Sequence, residues 1–261
     1  MVLKKIVSKK KASVEKSRGV KPLEVLKEEL KTCPFPLDFR KALREKSGRA
    51  IIAEIKRASP SKGLICDEKD PGFRGWLYEK SGAAAISVLT EEEYFRGNLE
   101  DLRIVKDSVG IPVLRKDFII DPYQIYESRV HGADAVLLIV SLLAENELTL
   151  FLEICRRLNM CPLVEVHTRE ELIKALKCGA DVVGINNRNL NTFKTDIEVT
   201  VELSKEIPGS VLLVSESGIR GREDIVQLGY SGVDAFLIGE TLMVHPSPGD
   251  KIRELLGEEI W

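Results

Sequence analysis

The chain has 261 residues, 44% of them hydrophobic, with 41 acidic against 39 basic side chains and a formal net charge of -2. That length suits one large domain or two small ones, and the near cancellation of charge lacks the cationic excess that binds a phosphate backbone, so no nucleic-acid partner is expected. The longest apolar stretch, Ala135 to Ala144, is interrupted by Ser141 and is about half of the ~20 residues a membrane-spanning helix needs.

The chain begins with a lysine-rich segment (KKIVSKKKASVEK) that no secretory apolar region follows. This run reads as a solvated, partly disordered tail. Val20 to Leu30 has the spacing of an amphipathic helix, with Pro22 tolerated in its first turn. Residues 1–48 are therefore expected to form a helical extension packed on the body that follows. Five cysteines (Cys33, Cys66, Cys155, Cys161, Cys178) form no C-x-x-C pair, and His131, His167 and His245 are scattered. The expectation is reduced thiols in a cytoplasmic protein with no metal site and no cofactor.

Short runs rich in Val, Ile and Leu follow at Ile51 to Ile55, Ala83 to Leu89, Ile111 to Leu114, Ala135 to Val140, Pro162 to Val166, Val182 to Ile185, Val211 to Val214 and Ala235 to Ile238. Segments with helical spacing lie between them, such as Glu170 to Cys178 with Thr168 placed to cap it. Several end in Gly-Ala-Asp or a variant of it, at Gly82, Gly132, Gly179 and Gly232, where glycine suits a left-handed C-cap. Eight such units predict a single α/β domain over 49–261, a (β/α)8 TIM barrel; an open doubly wound sheet would carry a Gly-rich turn after its first strand, and none is present.

In a barrel of this kind chemistry sits at the carboxyl ends of the strands. The first apolar run ends in Glu54-Ile-Lys56, the third in Lys116, the fifth in Glu165, the sixth in Asn186 and the seventh in Glu216. A spacing of two keeps side chains on one face of a strand, so if Leu114, Leu163, Gly184 and Val214 point inward, Lys116, Glu165, Asn186 and Glu216 do too. Three carboxylates and two lysines at one mouth shift one another's protonation, which separates acid from base roles. Ser217-Gly218 after the seventh strand, Gly239 after the eighth and Ser59 after the first lie where this fold holds phosphate, so a small phosphorylated substrate is expected.

The ordered motifs Ala53-Glu-Ile-Lys56-Arg-Ala-Ser59-Pro-Ser, Val88-Leu-Thr90-Glu with Tyr94-Phe95, Leu114-Arg-Lys116-Asp-Phe118-Ile, Leu163-Val-Glu165-Val-His, Ile185-Asn-Asn-Arg188-Asn-Leu190 and Ser215-Glu-Ser217-Gly-Ile resemble the indole-3-glycerol-phosphate synthase family of tryptophan biosynthesis, over about residues 20 to 255. The resemblance implies a metal-free carboxy-lyase that closes the pyrrole ring of 1-(2-carboxyphenylamino)-1-deoxyribulose 5-phosphate with loss of carbon dioxide and water. It implies Lys116 as general acid, Glu165 as general base and Glu54 and Lys56 as their partners. Asn186, Arg188, Glu216 and Ser217 match polar residues around the substrate, Phe95, Phe118 and Leu190 apolar positions against its ring, and Ser59, Gly218 and Gly239 phosphate contacts. Where many members have Ser after the eighth-strand glycine, this chain has Glu240. A carboxylate repels phosphate, so Glu240 is expected to turn away and leave its backbone N–H as the contact. A monomer is expected, with transient contact to other tryptophan-pathway enzymes. The competing readings are another phosphate-binding barrel enzyme, such as a phosphoribosyl-ketose isomerase, and a non-catalytic binding protein derived from the barrel.

Overall fold

The computed structural model describes residues 2–46, 50–189 and 192–258. Three helices come first: α1 (Val2–Val20), α2 (Leu23–Glu29) and α3 (Phe39–Arg44). Eight barrel strands follow, β1 (Ala50–Ile55), β2 (Ala85–Leu89), β3 (Val113–Lys116), β4 (Ala135–Ile139), β5 (Cys161–Val166), β6 (Val182–Asn186), β7 (Leu212–Glu216) and β8 (Ala235–Ile238), with a small antiparallel hairpin of Ala58–Ser59 and Gly63–Leu64 after β1. Each barrel strand pairs in parallel with the next and β8 closes on β1, which is the expected eight-stranded barrel. Between and after the strands run α4 (Pro71–Lys80), α5 (Leu99–Ser108), α6 (Pro122–Val130), α7 (Glu145–Arg157), α8 (Arg169–Lys177), α9 (Glu198–Ser204), α10 (Arg222–Tyr230), α11 (Glu240–Met243) and α12 (Pro248–Leu256). Among the described residues no helix is long and apolar enough to cross a membrane.

Period two sorts the strand side chains into two cores. Ile51, Ala53 and Ile55 of β1 join the layer shared with Tyr78, Leu102 and other helix residues, while Ala50 and Ile52 pack inside the barrel. Leu114, Leu163, Val214 and Leu237 belong to the inner cluster. The positions two residues further on, Lys116, Glu165, Glu216 and Gly239, continue that inward series. Strands β3 and β7 run two residues past their apolar stretches, with Lys116 opposite Leu89 and Glu216 opposite Asn186 in the ladder. Hydropathy falls at Leu114 and Val214, but backbone hydrogen bonds do not depend on side-chain charge, so the strands continue.

Gly82, Gly132, Gly179 and Gly232 all adopt positive φ, between 81 and 99°. They end helices as the repeated Gly-x-x turn predicts, and Thr168 caps α8 by accepting from the Glu171 N–H. The aspartate of the turn has its own task. Asp134, buried, accepts from the Val113 N–H at 2.7 Å, the Leu37 N–H at 2.7 Å and Lys106 Nζ at 2.6 Å. One carboxylate thus joins the start of β3, helix α5 and the N-terminal extension. Below it Phe39 and Leu43 of α3, fully buried against Ala50, Ala84 and Ala135, stop the amino end of the barrel.

The lysine run is not a solvated tail. It forms α1, in which Ile6 and Val14 are buried and Lys10 pairs with the buried Asp117 at 2.7 Å. Reading the run by its overall charge missed that Leu3, Ile6, Lys10 and Val14 recur at helical spacing, which gives the helix one inward stripe.

Replacing Asp134 by alanine leaves two backbone N–H groups and an ammonium without their acceptor. Asp134→Ala is expected to lower stability by roughly 2–4 kcal/mol, read from urea unfolding, with substrate KM unchanged because the group lies at the amino end of the strands.

Candidate active site

The carboxyl ends of the strands surround a cavity of about 200 Å³. Lys116 lies in its lining, and three carboxylates converge on its ammonium. Nζ donates to Glu216 Oε2, lies 3.5 Å from Glu165 Oε2 and 4.0 Å from Glu54 Oε2. Burial alone would favour the neutral amine, but the carboxylates outweigh it and raise the Lys116 pKa. On β1, Lys56 Nζ reaches Glu54 Oε1 at 2.5 Å. Burial pushes Glu54 up, yet Lys56 and Lys116 together hold it below the usual carboxylate range.

Glu216 has no surface exposure, and its Oε1 has no hydrogen-bond partner among the described residues. Burial, with the negative charges of Glu165 and Glu54 beside it, pushes its carboxyl up to about 7 against the pull of Lys116. Lys116 keeps its proton, and Glu216 gains one before Glu54 does. Two glycines make room for this cluster. A Cβ on Gly184 would sit 2.1 Å from Glu216 Oε1, and one on Gly239 would sit 2.1 Å from Glu54 Oε1 and 3.1 Å from Lys56 Nζ.

A polar corner of the cavity is assembled from the segments after β1, β6, β7 and β8. Ser217 and Gly218 both have positive φ, 66 and 86°, and a Cβ on Gly218 would meet Thr195 Cγ2 at 2.7 Å. Ser217, a non-glycine residue in the left-handed region, stores backbone strain at the mouth. Asn186 Oδ1 accepts from the Arg188 N–H at 3.0 Å, and the Arg188 guanidinium donates to Ser61 Oγ at 3.1 Å and Glu240 Oε2 at 3.2 Å. Ser59 is buried next to Ser61 and accepts from the Lys62 N–H. Glu240 does not turn away. Arg188 and Lys62, the latter at 3.4 Å, hold its carboxylate in the cavity lining because two cations compensate it.

The apolar wall comes from the loops after β2 and β3. The Phe95 and Phe118 rings lie 6.1 Å apart and tilted by 46°. The loop bearing Phe95 is clamped by buried Glu91, which accepts from the Tyr94 and Phe95 N–H groups at 2.7 and 3.1 Å. Leu190, expected on the same wall, lies outside the described residues. Among the described residues no group of three or more His, Cys, Asp or Glu side chains is arranged to hold a metal ion.

The profile of indole-3-glycerol phosphate synthase matches residues 3–255. The chain is 48% identical over 263 residues to the indole-3-glycerol phosphate synthase of Carboxydothermus hydrogenoformans, covering 98% of this chain and 100% of that one. It is 48% identical over 258 residues to that of Aquifex aeolicus, covering 98% of each. The chain belongs to the indole-3-glycerol phosphate synthase family. Among solved structures, 3-hexulose-6-phosphate synthase superposes with a TM-score of 0.63 at 14% identity, covering 80% of this chain and 98% of that one. Thiamine phosphate pyrophosphorylase from Pyrococcus furiosus gives 0.61 at 17% identity, covering 81% and 95%. These two share the barrel. The family match sets the activity as indole-3-glycerol phosphate synthesis and does not favour the isomerase.

Sequence reasoning missed several residues of this mouth. Leu3 and Ile6 of α1 line the cavity, as do Thr195 and Arg220. His167 is half-buried between two acids, Nε2 3.4 Å from Glu165 Oε1 and Nδ1 3.4 Å from Glu171 Oε2. Burial would lower the imidazole, but the two carboxylates raise its pKa. The signal for His167 was the same spacing of two, counted one step beyond Glu165.

Two outcomes follow from this geometry. Gly239→Ala forces Glu54 aside, so kcat/KM is expected to fall at least about tenfold with the barrel's circular dichroism intact. Glu216 titrates near 7 when folded against an ordinary value of 4.5, so the folded state holds the extra proton between those values. The stability it confers is fully present below pH 4.5 and is lost as pH rises through 7. In Glu216→Gln the fall in unfolding free energy between pH 5 and pH 7.5 should be smaller than in the unsubstituted protein, as urea titrations at the two pH values will read.

Proposed function

We propose that this mouth closes the pyrrole ring of 1-(2-carboxyphenylamino)-1-deoxyribulose 5-phosphate, as a carboxy-lyase that also removes water, with Lys116 as general acid and Glu165 as general base. The observation that carries the reading is the largely covered Lys116 ammonium held charged by three carboxylates within 4.0 Å, facing a cavity lined in part by Phe95 and Phe118.

In the first step the ring carbon bearing the carboxylate bonds to the ketone carbon. The carbonyl electron pair moves to oxygen and takes the Lys116 proton. A developing alkoxide is basic enough to accept from an ammonium whose pKa is raised, and the preplaced charge stabilises it before transfer. The bond to the carboxylate then breaks, carbon dioxide leaves, and the electron pair restores the aromatic ring. Phe95 and Phe118 leave that carboxylate poorly solvated while Lys56 orients it. In the last step the former carbonyl oxygen leaves as water with a proton from Lys56, and Glu165 takes the proton whose loss forms the ring double bond. Glu54, held ionised, is an acceptor that anchors Lys56 and not itself a donor. Ser59, Gly218 and Gly239 take the phosphate, and Asn186, Arg188 and Ser217 hold the hydroxylated chain between it and the ring.

Lys116→Met should lower kcat by about two to four orders of magnitude, the usual worth of a positioned general acid. Lys116→Arg should restore little, since guanidinium keeps the charge but holds its proton above a pKa of ~12. Both are read by indole absorbance at saturating substrate. An arginine variant with near-normal turnover would reduce Lys116 to charge balance.

A further inference from the structure

We infer that Lys10 is a positioning residue of this enzyme: through the buried Asp117 it latches helix α1 over the mouth and holds the segment that carries Lys116 and Phe118.

The argument starts from the helix itself. A lysine in the inward stripe Leu3, Ile6, Lys10, Val14 is costly to bury unless a partner meets it. Its side chain retains one-tenth of its exposure, and Asp117 Oδ1 lies 2.7 Å from its Nζ, itself fully covered. The same carboxylate accepts the Phe118 N–H at 2.7 Å on Oδ1, and Thr90 Oγ1 at 2.7 Å and Arg115 Nη2 at 3.1 Å on Oδ2. Arg115 is bound in turn to Glu127 Oε2 at 2.8 Å. Burial would push Asp117 up, but Lys10 and Arg115 keep it below the usual carboxylate range.

Asp117 sits between Lys116 and Phe118 in the chain, so its four partners fix the backbone of both. Lys10 is the partner that comes from outside the barrel strands and their loops. The C-terminal half of α1 has separate anchors on α6 and its N-cap: Val14 packs with Tyr123, and Arg18 bonds the capping Asp121 at 2.7 Å. The N-terminal turns place Leu3 and Ile6 in the cavity lining. Lys10 lies between these two regions, beside an exposed pair of Lys9 with Glu93; the covered Lys10–Asp117 pair is the tie of the two that reaches the segment carrying Lys116 and Phe118. Wall and catalytic strand end are thereby joined through one carboxylate.

The inference deepens the reading above by adding a positioning residue to the same site. Its test measures steady-state kinetics and amide exchange in α1 for Lys10→Met, Lys10→Arg and, as control, Lys11→Met, which alters an exposed lysine one position along. Lys10→Met is expected to raise KM about tenfold or more, to lower kcat, and to speed exchange in the first two turns of α1. Lys10→Arg should recover most of each, and Lys11→Met should change none. In a cycle with Asp117→Asn, the double variant should be little worse than the worse single one, since both remove the same pair. If Lys10→Met does not fold, Lys10→Gln gives the same readings. Kinetics and exchange like those of the unsubstituted enzyme, an arginine variant no better than methionine, or independent effects in the cycle would each overturn the latch. Exchange needs no turnover, so an active Lys116→Met enzyme would overturn the acid assignment and leave the latch standing.

Discussion

An ammonium buried among carboxylates sets the conditions that the rest of the mouth must meet. Taking such charges out of water costs several kcal/mol per ion, which only close partners offset. Glu54, Glu165 and Glu216 against Lys56 and Lys116 leave one negative charge in surplus, and the carboxyl of Glu216, pushed up to about 7, is where the surplus is relieved. Close pairing also demands space on the facing strands. Gly184 and Gly239 supply it, since any Cβ there would collide with a carboxylate of the cluster. These two glycines are explained by electrostatics at one remove and not by backbone conformation, for neither has a positive φ.

The barrel divides this burden between its ends. At the amino end Phe39 and Leu43 close the core with apolar bulk, and Asp134 and Asp234 tie strand starts to backbone N–H groups at 2.7 and 2.8 Å. Those contacts hold shape. At the carboxyl end the same strands turn from apolar to charged within two residues, which is affordable because the ladder below is rigid. The N-terminal helices serve both ends, α3 as stopper and α1 as part of the cavity wall.

Most of the barrel was legible because continuous apolar runs and Gly-x-x turns are local signals. The apolar runs themselves stop at Leu114 and Val214, two residues short of the paired strand ends at Lys116 and Glu216, since hydropathy stops where hydrogen bonding continues. The inward placing of Lys116, Glu165, Asn186 and Glu216 followed from counting by two. Their mutual distances did not, because the sequence carries no register between β3, β5 and β7. Glu240 was misjudged for a related reason. Taken alone a carboxylate repels phosphate, but Arg188 and Lys62 reach it from loops after β6 and β1, which only the folded chain brings together. The lysine-rich start was judged by composition, and composition averages Lys10 with neighbours that face water.

The two kinds of similarity carry different weight for the same physical reason. Hexulose-phosphate synthase reproduces the barrel at 14% identity, because inner apolar layers tolerate many exchanges of similar volume. A charged cluster tolerates few. Removing one of Lys116's partners would leave its ammonium less compensated, and enlarging Gly184 or Gly239 would displace another. Chemistry in this fold is therefore recorded at the strand ends and in the small residues facing them, while the scaffold beneath is shared among enzymes of different activity. A relative that kept Lys116 but carried a larger side chain at position 184 or 239 would need a compensating change in the facing carboxylate to keep the same site.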